Sequence, residues 1–122
     1  MEVPILKQGE ILIATVQAAL TDSDLLQLRR ALVEKVAKAR ARGIIIDLTA
    51  MDVMDSFASR TMQEMAHMIR LRGAETVIVG IQPDVAFAMV QLGLSMGGGM
   101  TALDLEEGLE YLHRNLRGDP SR

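Results

Sequence analysis

The feature that most constrains the fold is a run of three isoleucines, Ile44-Ile45-Ile46, directly before Asp47. A short uninterrupted apolar run of this kind is typical of a strand that is covered on both faces. Such strands occur in parallel sheets, where helices form the crossovers between successive strands. The run therefore predicts an α/β fold built around a buried, mostly parallel sheet.

Other β-rich segments surround this run along the chain. Residues 4–7 and 10–16, separated by Gln8-Gly9, predict a hairpin and hence an antiparallel first strand. A further strand is predicted within 76–81, and a short one within 100–103. The remaining strands are separated by helical patterns, so we expect them to pair in parallel within one mixed sheet.

About four helices are predicted from apolar residues that recur at helical spacing. Their predicted buried stripes are Leu25, Leu28, Leu32 and Val36; Ala58, Met62, Met65 and Ile69; Val85, Met89 and Leu92; and Leu105, Leu109, Leu112 and Leu116.

Helix ends are predicted from capping residues and glycines. Thr21, with Asp24 three residues on, predicts the start of the first helix, and Asp104 with Glu107 predicts the start of the last. Pro83 suits the first turn of the third helix. The first three helices are expected to end at glycines, with a left-handed stop at the first of these: Gly43, Gly73 and Gly93.

The composition favours one globular domain and argues against several functions. Apolar residues make up 49 % of the 122 residues, which is enough to bury a core. The chain has no cysteine, a net charge of −3 and no basic stripe, so we expect no thiolate chemistry and no binding to nucleic acid. Neither a signal peptide nor a membrane span is visible, and we expect a cytoplasmic domain over 1–116 with a disordered tail over 117–122.

Residue patterns typical of enzymes are missing from the sequence. Gly97-Gly98-Gly99 is not followed by the lysine of a phosphate-binding loop. His67 and His113 are too few to form a convergent metal site, and Ser56 has no nucleophile-elbow glycines beside it. We therefore expect no enzymatic activity, no cofactor and no metal, and we keep small-ligand binding by the Gly97–Gly99 loop as a remote alternative.

Methionine is unusually frequent in this chain, with nine residues. We interpret those around the second helix chiefly as adaptable core residues, with partner contacts as the alternative for exposed ones. They are Met51, Met54, Met62, Met65 and Met68.

The segment from Asp47 to Phe57 runs from the end of a buried strand, through a loop, onto a helix. This edge of an open α/β sheet is where ligands and partners bind. Ser56 lies in the cap region of the helix, and its position alone favours an ordinary capping role. A phosphate on Ser56 would also be tolerated there, near the positive end of the helix dipole, and would add charge beside Asp52 and Asp55. Such a change would alter partner binding while leaving the fold intact.

Several segments, taken together and in order, resemble the STAS (sulfate transporter and anti-sigma factor antagonist) domain family. They cover nearly the whole chain and lie at residues 44–49, 54–57, 73–74, 80–83 and 101–109. Phe57, which follows the serine, fits the stressosome subgroup of the family.

The resemblance implies a single STAS domain of the α/β class that acts as a scaffold and switch. It implies homo- and hetero-oligomers with larger co-antagonists of the same fold, whose N-terminal sensor domain this chain is expected to lack. The assembly would sequester a serine/threonine switch kinase, which would phosphorylate Ser56 and leave. A dedicated phosphatase would then reset the site.

Around Ser56 we predict a partner-binding surface made of Asp52, Met54, Asp55 and Phe57. Ser59 is the alternative phosphate acceptor, and Thr49 is expected to structure the loop. The alternative function is that of a simple anti-sigma factor antagonist, which would bind a kinase-type anti-sigma factor through the same serine.

Overall fold

A computed structural model describes residues 2–94 and 99–116. The predicted tail, 117–122, and residues 95–98 of the Gly-rich loop lie outside the described residues. In chain order the elements are β1 (Ile5–Gln8), β2 (Ile11–Thr15), α1 (Asp22–Ala39), β3 (Gly43–Asp47), α2 (Ser56–Leu71), β4 (Glu75–Val79), α3 (Pro83–Gln91), β5 (Met100–Ala102) and α4 (Leu105–Leu116). None of the described helices combines the length and the apolar character needed to cross a membrane.

The strands form one mixed sheet in the order β1-β2-β3-β4-β5. β1 and β2 are antiparallel and are joined by a turn at Gly9, whose φ of +62° suits glycine. All other neighbours pair in parallel. The predicted α/β class, the antiparallel first strand and the parallel remainder are confirmed.

β3 lies at the centre of the sheet and is covered on both faces. Ile44 and Ile46 pack into a cluster with residues of α1, α2 and α3, whereas Ile45 packs into a second cluster with α4. All three isoleucines are fully buried. Since full burial of such a side chain contributes roughly 1.5–3 kcal/mol, the isoleucine run ties both helical layers to the sheet.

α1 begins as predicted and ends differently. Thr21 Oγ1 accepts a hydrogen bond from the Asp24 N–H at 3.0 Å, and Asp24 Oδ2 accepts one from the Thr21 N–H at 3.1 Å, which together form a capping box. The left-handed C-cap is Arg40, with a φ of 52°. The prediction that Gly43 stops α1 is wrong, because Gly43 is the first residue of β3.

Glycine at position 43 lets α4 approach the sheet closely. A β-carbon on Gly43 would lie 3.0 Å from a methyl carbon of the buried Leu112 in α4. Gly108 of α4 makes a similar approach, since a β-carbon there would lie 2.8 Å from Val79 Cγ1 of β4. The rest of the predicted α4 stripe, Leu105, Leu109 and Leu116, is partly buried in the same cluster.

α3 follows the prediction, including its end at Gly93, except for one residue of its apolar face. Pro83 is in its first turn, and Val85 and Met89 are buried. Leu92 is 60 % exposed, so its assignment to the buried stripe is wrong. The reason is that α3 ends at Gln91, and Leu92 lies beyond the last helical residue, just before Gly93 with its φ of +68°.

Gly80, the residue after β4, packs closely against the loop that follows β3. Its φ is +76°, and a β-carbon there would overlap Thr49 Oγ1 and lie 3.2 Å from Asp47 Oδ1. We expect Gly80→Ala to lower the free energy of unfolding by roughly 2–5 kcal/mol, because left-handed strain and steric overlap add together. Urea unfolding followed by circular dichroism measures the loss.

Gly73→Ala is the matched control for backbone strain. Gly73 follows α2, has a φ of +88° and would place a β-carbon in open space. It should lose only about 1–2 kcal/mol. Equal losses in the two variants would contradict the close packing of Gly80 against Thr49.

Candidate functional site

The candidate site is the loop that carries the chain from β3 to α2. β3 ends at Asp47 and α2 begins at Ser56. Both lie at the carboxyl edge of the parallel strands, where open α/β sheets bind ligands and partners. Different interactions fix the loop at its start, in its middle and at its end.

The start of the loop is held by the carboxylate of Asp47. Asp47 Oδ1 accepts hydrogen bonds from the Thr49 N–H at 2.9 Å and from Thr49 Oγ1 at 2.6 Å. Gln82, the N-cap of α3, donates from Nε2 to the Thr49 carbonyl at 2.7 Å. The predicted role of Thr49 in structuring the loop is confirmed, and Thr49 also links this loop to the start of α3.

The middle of the loop is anchored by two methionines. Met51 and Met54 are only 2 % and 4 % exposed, while Asp52 is exposed and Val53 is 60 % exposed. The prediction that Met54 belongs to a partner-binding surface is wrong, because its side chain lies in the core and holds the loop against it. Val53 is the apolar side chain that the loop presents, and no sequence signal distinguished it from the two buried methionines.

The other methionines around α2 confirm the core interpretation in part. Met62 and Met65 are fully buried in the same cluster as the loop methionines. Met68, on the same helix, is 37 % exposed.

The end of the loop is capped by Asp55. Its backbone is extended, with a φ of −97° and a ψ of 179°, and its Oδ1 accepts a hydrogen bond from the Ala58 N–H at 2.7 Å. Ser56 follows as the first helical residue and is exposed. The expectation that Ser56 itself caps the helix is wrong, because the preceding carboxylate is the N-cap.

The hydroxyl of Ser56 is therefore not required by the helix. It forms no hydrogen bond within the part of the chain that the structure describes. The first turn of α2 contains no acidic residue, so the backbone N–H groups there are compensated mainly by Asp55. An anionic group attached to Ser56 would enter a favourable electrostatic position without displacing an existing contact.

The three residues that follow Ser56 are more buried than Ser56 itself. Phe57 is half-buried against the core, and its carbonyl accepts a hydrogen bond from Thr61 Oγ1 at 2.8 Å. Ser59 is only 1 % exposed. Of the two candidate acceptor serines, Ser56 reaches solvent, and it lies between the exposed Asp55 and the half-buried Phe57.

Other candidate chemical groups do not converge on this loop. His67 lies on α2 and His113 on α4, and both are exposed. Across residues 2–94 and 99–116 no three metal-ligating side chains come close enough to hold an ion. Gly97 and Gly98 lie outside the described residues, so ligand binding by that loop stays a prediction.

Two solved structures are similar to this chain in both sequence and fold. One is a serine-to-glutamate variant of RsbS from Moorella thermoacetica, with 31 % identity, a TM-score of 0.82, and coverage of 96 % of this chain and 99 % of that one. The other is a chain in a solved structure described as the molecular architecture of the stressosome, a signal integration and transduction hub. That chain is 30 % identical, with a TM-score of 0.75 and coverage of 93 % of this chain and 99 % of its own length.

A curated relative shares part of its sequence with this chain. The RsbT co-antagonist protein RsbRA of Bacillus subtilis (strain 168) is 29 % identical over 79 residues. The alignment covers 65 % of this chain but only 29 % of RsbRA, so this chain spans under a third of that relative.

A family model covers most of the chain. The model for the STAS domain matches residues 2–104. The matched residues span the five strands and α1 to α3 and end just before α4. The fold is shared with solved stressosome and anti-sigma factor antagonist proteins. The chain therefore belongs to the STAS domain family.

Proposed function

We propose that this chain is a non-enzymatic scaffold and switch protein of a cytoplasmic stressosome. It sequesters an RsbT-like serine/threonine switch kinase and releases that kinase when Ser56 is phosphorylated. The observation that carries the proposal is the division of roles at the start of α2, where Asp55 caps the helix and Ser56 is exposed. The similarity to RsbS over nearly the full length of both chains supports it.

The physical argument concerns where the cost of phosphorylation falls. A phosphate adds a charge of about −1.5 to −2 at neutral pH. At Ser56 it would meet the N-terminal end of a helix, which stabilises anions, so the fold would tolerate it. The same charge would be added beside the exposed Asp52 and Asp55 and would change what this surface binds. Consistent with this, the RsbS variant with glutamate in place of a serine has a fold similar to that of this chain.

The partner surface that we propose consists of exposed residues around the serine. It includes Asp52, Asp55, Ser56 and the accessible part of Phe57, together with Val53. The burial of Ser59 argues against it as the acceptor, because a kinase would have to open α2 to reach its hydroxyl. An RsbR-like co-antagonist with a sensor domain and a cognate phosphatase complete the proposed set of partners.

Replacing Ser56 with an anionic residue should release the kinase. We expect Ser56→Glu to weaken binding of the RsbT-like kinase from the same organism by roughly tenfold or more, since a new charge buried in the interface without a partner costs over a kcal/mol. Ser56→Ala should keep the affinity of the unmodified protein. Isothermal titration calorimetry measures all of these affinities.

Ser23→Glu is the matched control for added charge. Ser23 is an exposed serine in the first turn of α1, so the variant makes the same chemical change at another helix start. It should bind the kinase like the unmodified chain. If Ser56→Glu bound the kinase as tightly as Ser23→Glu does, the proposed switch would be wrong.

Substitutions of the capping residue Asp55 and of Ser56 should have different effects on the free energy of unfolding. Asp55→Ala removes the hydrogen bond to the Ala58 N–H and should lower the free energy of unfolding by about 1 kcal/mol. Ser56→Ala removes no contact of the fold and should stay within about 0.5 kcal/mol of the unmodified protein. Chemical denaturation measures both, and a larger loss for Ser56→Ala than for Asp55→Ala would reverse the assigned roles.

Particle size separates the scaffold from the alternative of a simple anti-sigma factor antagonist. Mixed with a STAS homologue that carries a sensor domain, a scaffold subunit should form a large closed particle. Multi-angle light scattering after size exclusion measures its mass. Monomers and dimers alone would favour the simple antagonist.

A further inference from the structure

Arg60 places an unpaired cation one helical turn after Ser56. It is exposed on α2 and forms no ion pair with any described residue. Glu64, the acid four residues further along the helix, is already bound to Arg29 of α1, with Nη1 and Oε1 2.7 Å apart. Arg60 therefore has no fixed acidic partner while Ser56 is unmodified.

Ser56 and Arg60 line the same cavity, which has a volume of about 200 Å³. The other described residues that line it are Ser59 and Gln63 on α2 and Gly93 and Leu94 after α3. Since a water molecule occupies about 30 Å³ in the liquid, the cavity has room for a phosphate group. Arg60 is the only charged residue among the described residues that line it.

We propose that Arg60 receives the phosphate of phosphorylated Ser56 and holds it in this cavity, against the chain that follows α3. The proposal rests on the phosphorylation of Ser56 proposed above. Side chains four residues apart on a helix are neighbours, and an anion that precedes a cation is the favoured order. The guanidinium also offers paired donors that match phosphate oxygens.

The surrounding charges direct the phosphate toward the cavity. Asp52 and Asp55 lie on the loop side of Ser56 and repel an anion from there. Gly93 and Leu94, on the α3 side, carry no charge. Arg29, the nearby cation of α1 that contacts α2, is bound to Glu64. Among the described residues that line the cavity, Arg60 is thus the cation available to neutralise the new charge.

This pairing explains how one modification could change the surface in two ways. The phosphate removes the free positive charge of Arg60, and it fills the cavity between α2 and the end of α3. A partner that binds the unmodified surface through an acidic group, or inserts a side chain into the cavity, would lose both contacts. Arg60 is then a positioning residue for the phosphate and takes no part in the transfer reaction.

The test uses protein in which phosphoserine is installed at position 56 during synthesis, without any kinase. A pH titration followed by ³¹P NMR gives the pKa of the second ionisation of the phosphate. Arg60 should stabilise the dianion and so lower this pKa, and Arg60→Gln should raise it by roughly 0.5–1 unit. Arg60→Lys should restore part of the shift, and 1 M salt should reduce it.

Arg72→Gln is the matched control, because Arg72 is an exposed arginine at the opposite end of the same helix. It makes the same change in net charge and should leave the phosphate pKa where it is in the unsubstituted phosphoprotein. Equal phosphate pKa values with and without Arg60 would overturn the proposal. A kinase that fails to modify Ser56 would refute the proposed function but would leave this titration fully informative.

Discussion

The two-sided burial of β3 is the constraint on which the rest of the structure depends. Ile44 and Ile46 contact the layer of α1, α2 and α3, and Ile45 contacts α4, so one strand joins both halves of the core. This strand ends at Asp47, whose carboxylate immediately turns the chain through Thr49. The position of the loop between β3 and α2 is therefore set by a strand that is buried on both faces.

At the other end of the loop, helix capping and the exposed hydroxyl belong to two adjacent residues, Asp55 and Ser56. Asp55 supplies the capping oxygen, and Ser56 occupies the first helical position with its hydroxyl unengaged by the described residues. Capping of α2 therefore does not depend on the Ser56 hydroxyl. Met51 and Met54 also hold the loop in place, because their side chains are buried in the core while Asp52 and Val53 remain exposed.

Much of the fold was predictable from local patterns in the sequence. The isoleucine run, the hairpin at Gly9 and the Thr21 capping box each depend on residues close together in the chain, and the structure confirms all three. The role of Gly43 was not predictable, because its reason for being glycine is Leu112, which is distant in sequence. The prediction that Leu92 is buried was wrong because α3 has nine residues and ends at Gln91, whereas the apolar spacing in the sequence continues to Leu92.

The candidate site was predictable as a segment but not residue by residue. Met54 and Val53 are neighbouring apolar residues in one loop, and only the three-dimensional packing decides which is buried. Likewise, Asp55 and Ser56 are both good capping residues, and only the geometry shows which one is the N-cap. The lack of an acidic partner for Arg60 could not be predicted from the sequence, because it depends on the ion pair between Glu64 of α2 and Arg29 of α1.

Intact-mass spectrometry with site mapping tests the central claim most directly. The unmodified protein is incubated with the RsbT-like kinase and ATP, alongside Ser56→Ala. The account predicts the addition of one phosphate, mapped to Ser56, and no addition to the variant. Phosphate on Ser59 or elsewhere, or none on a chain that binds the active kinase, would contradict it.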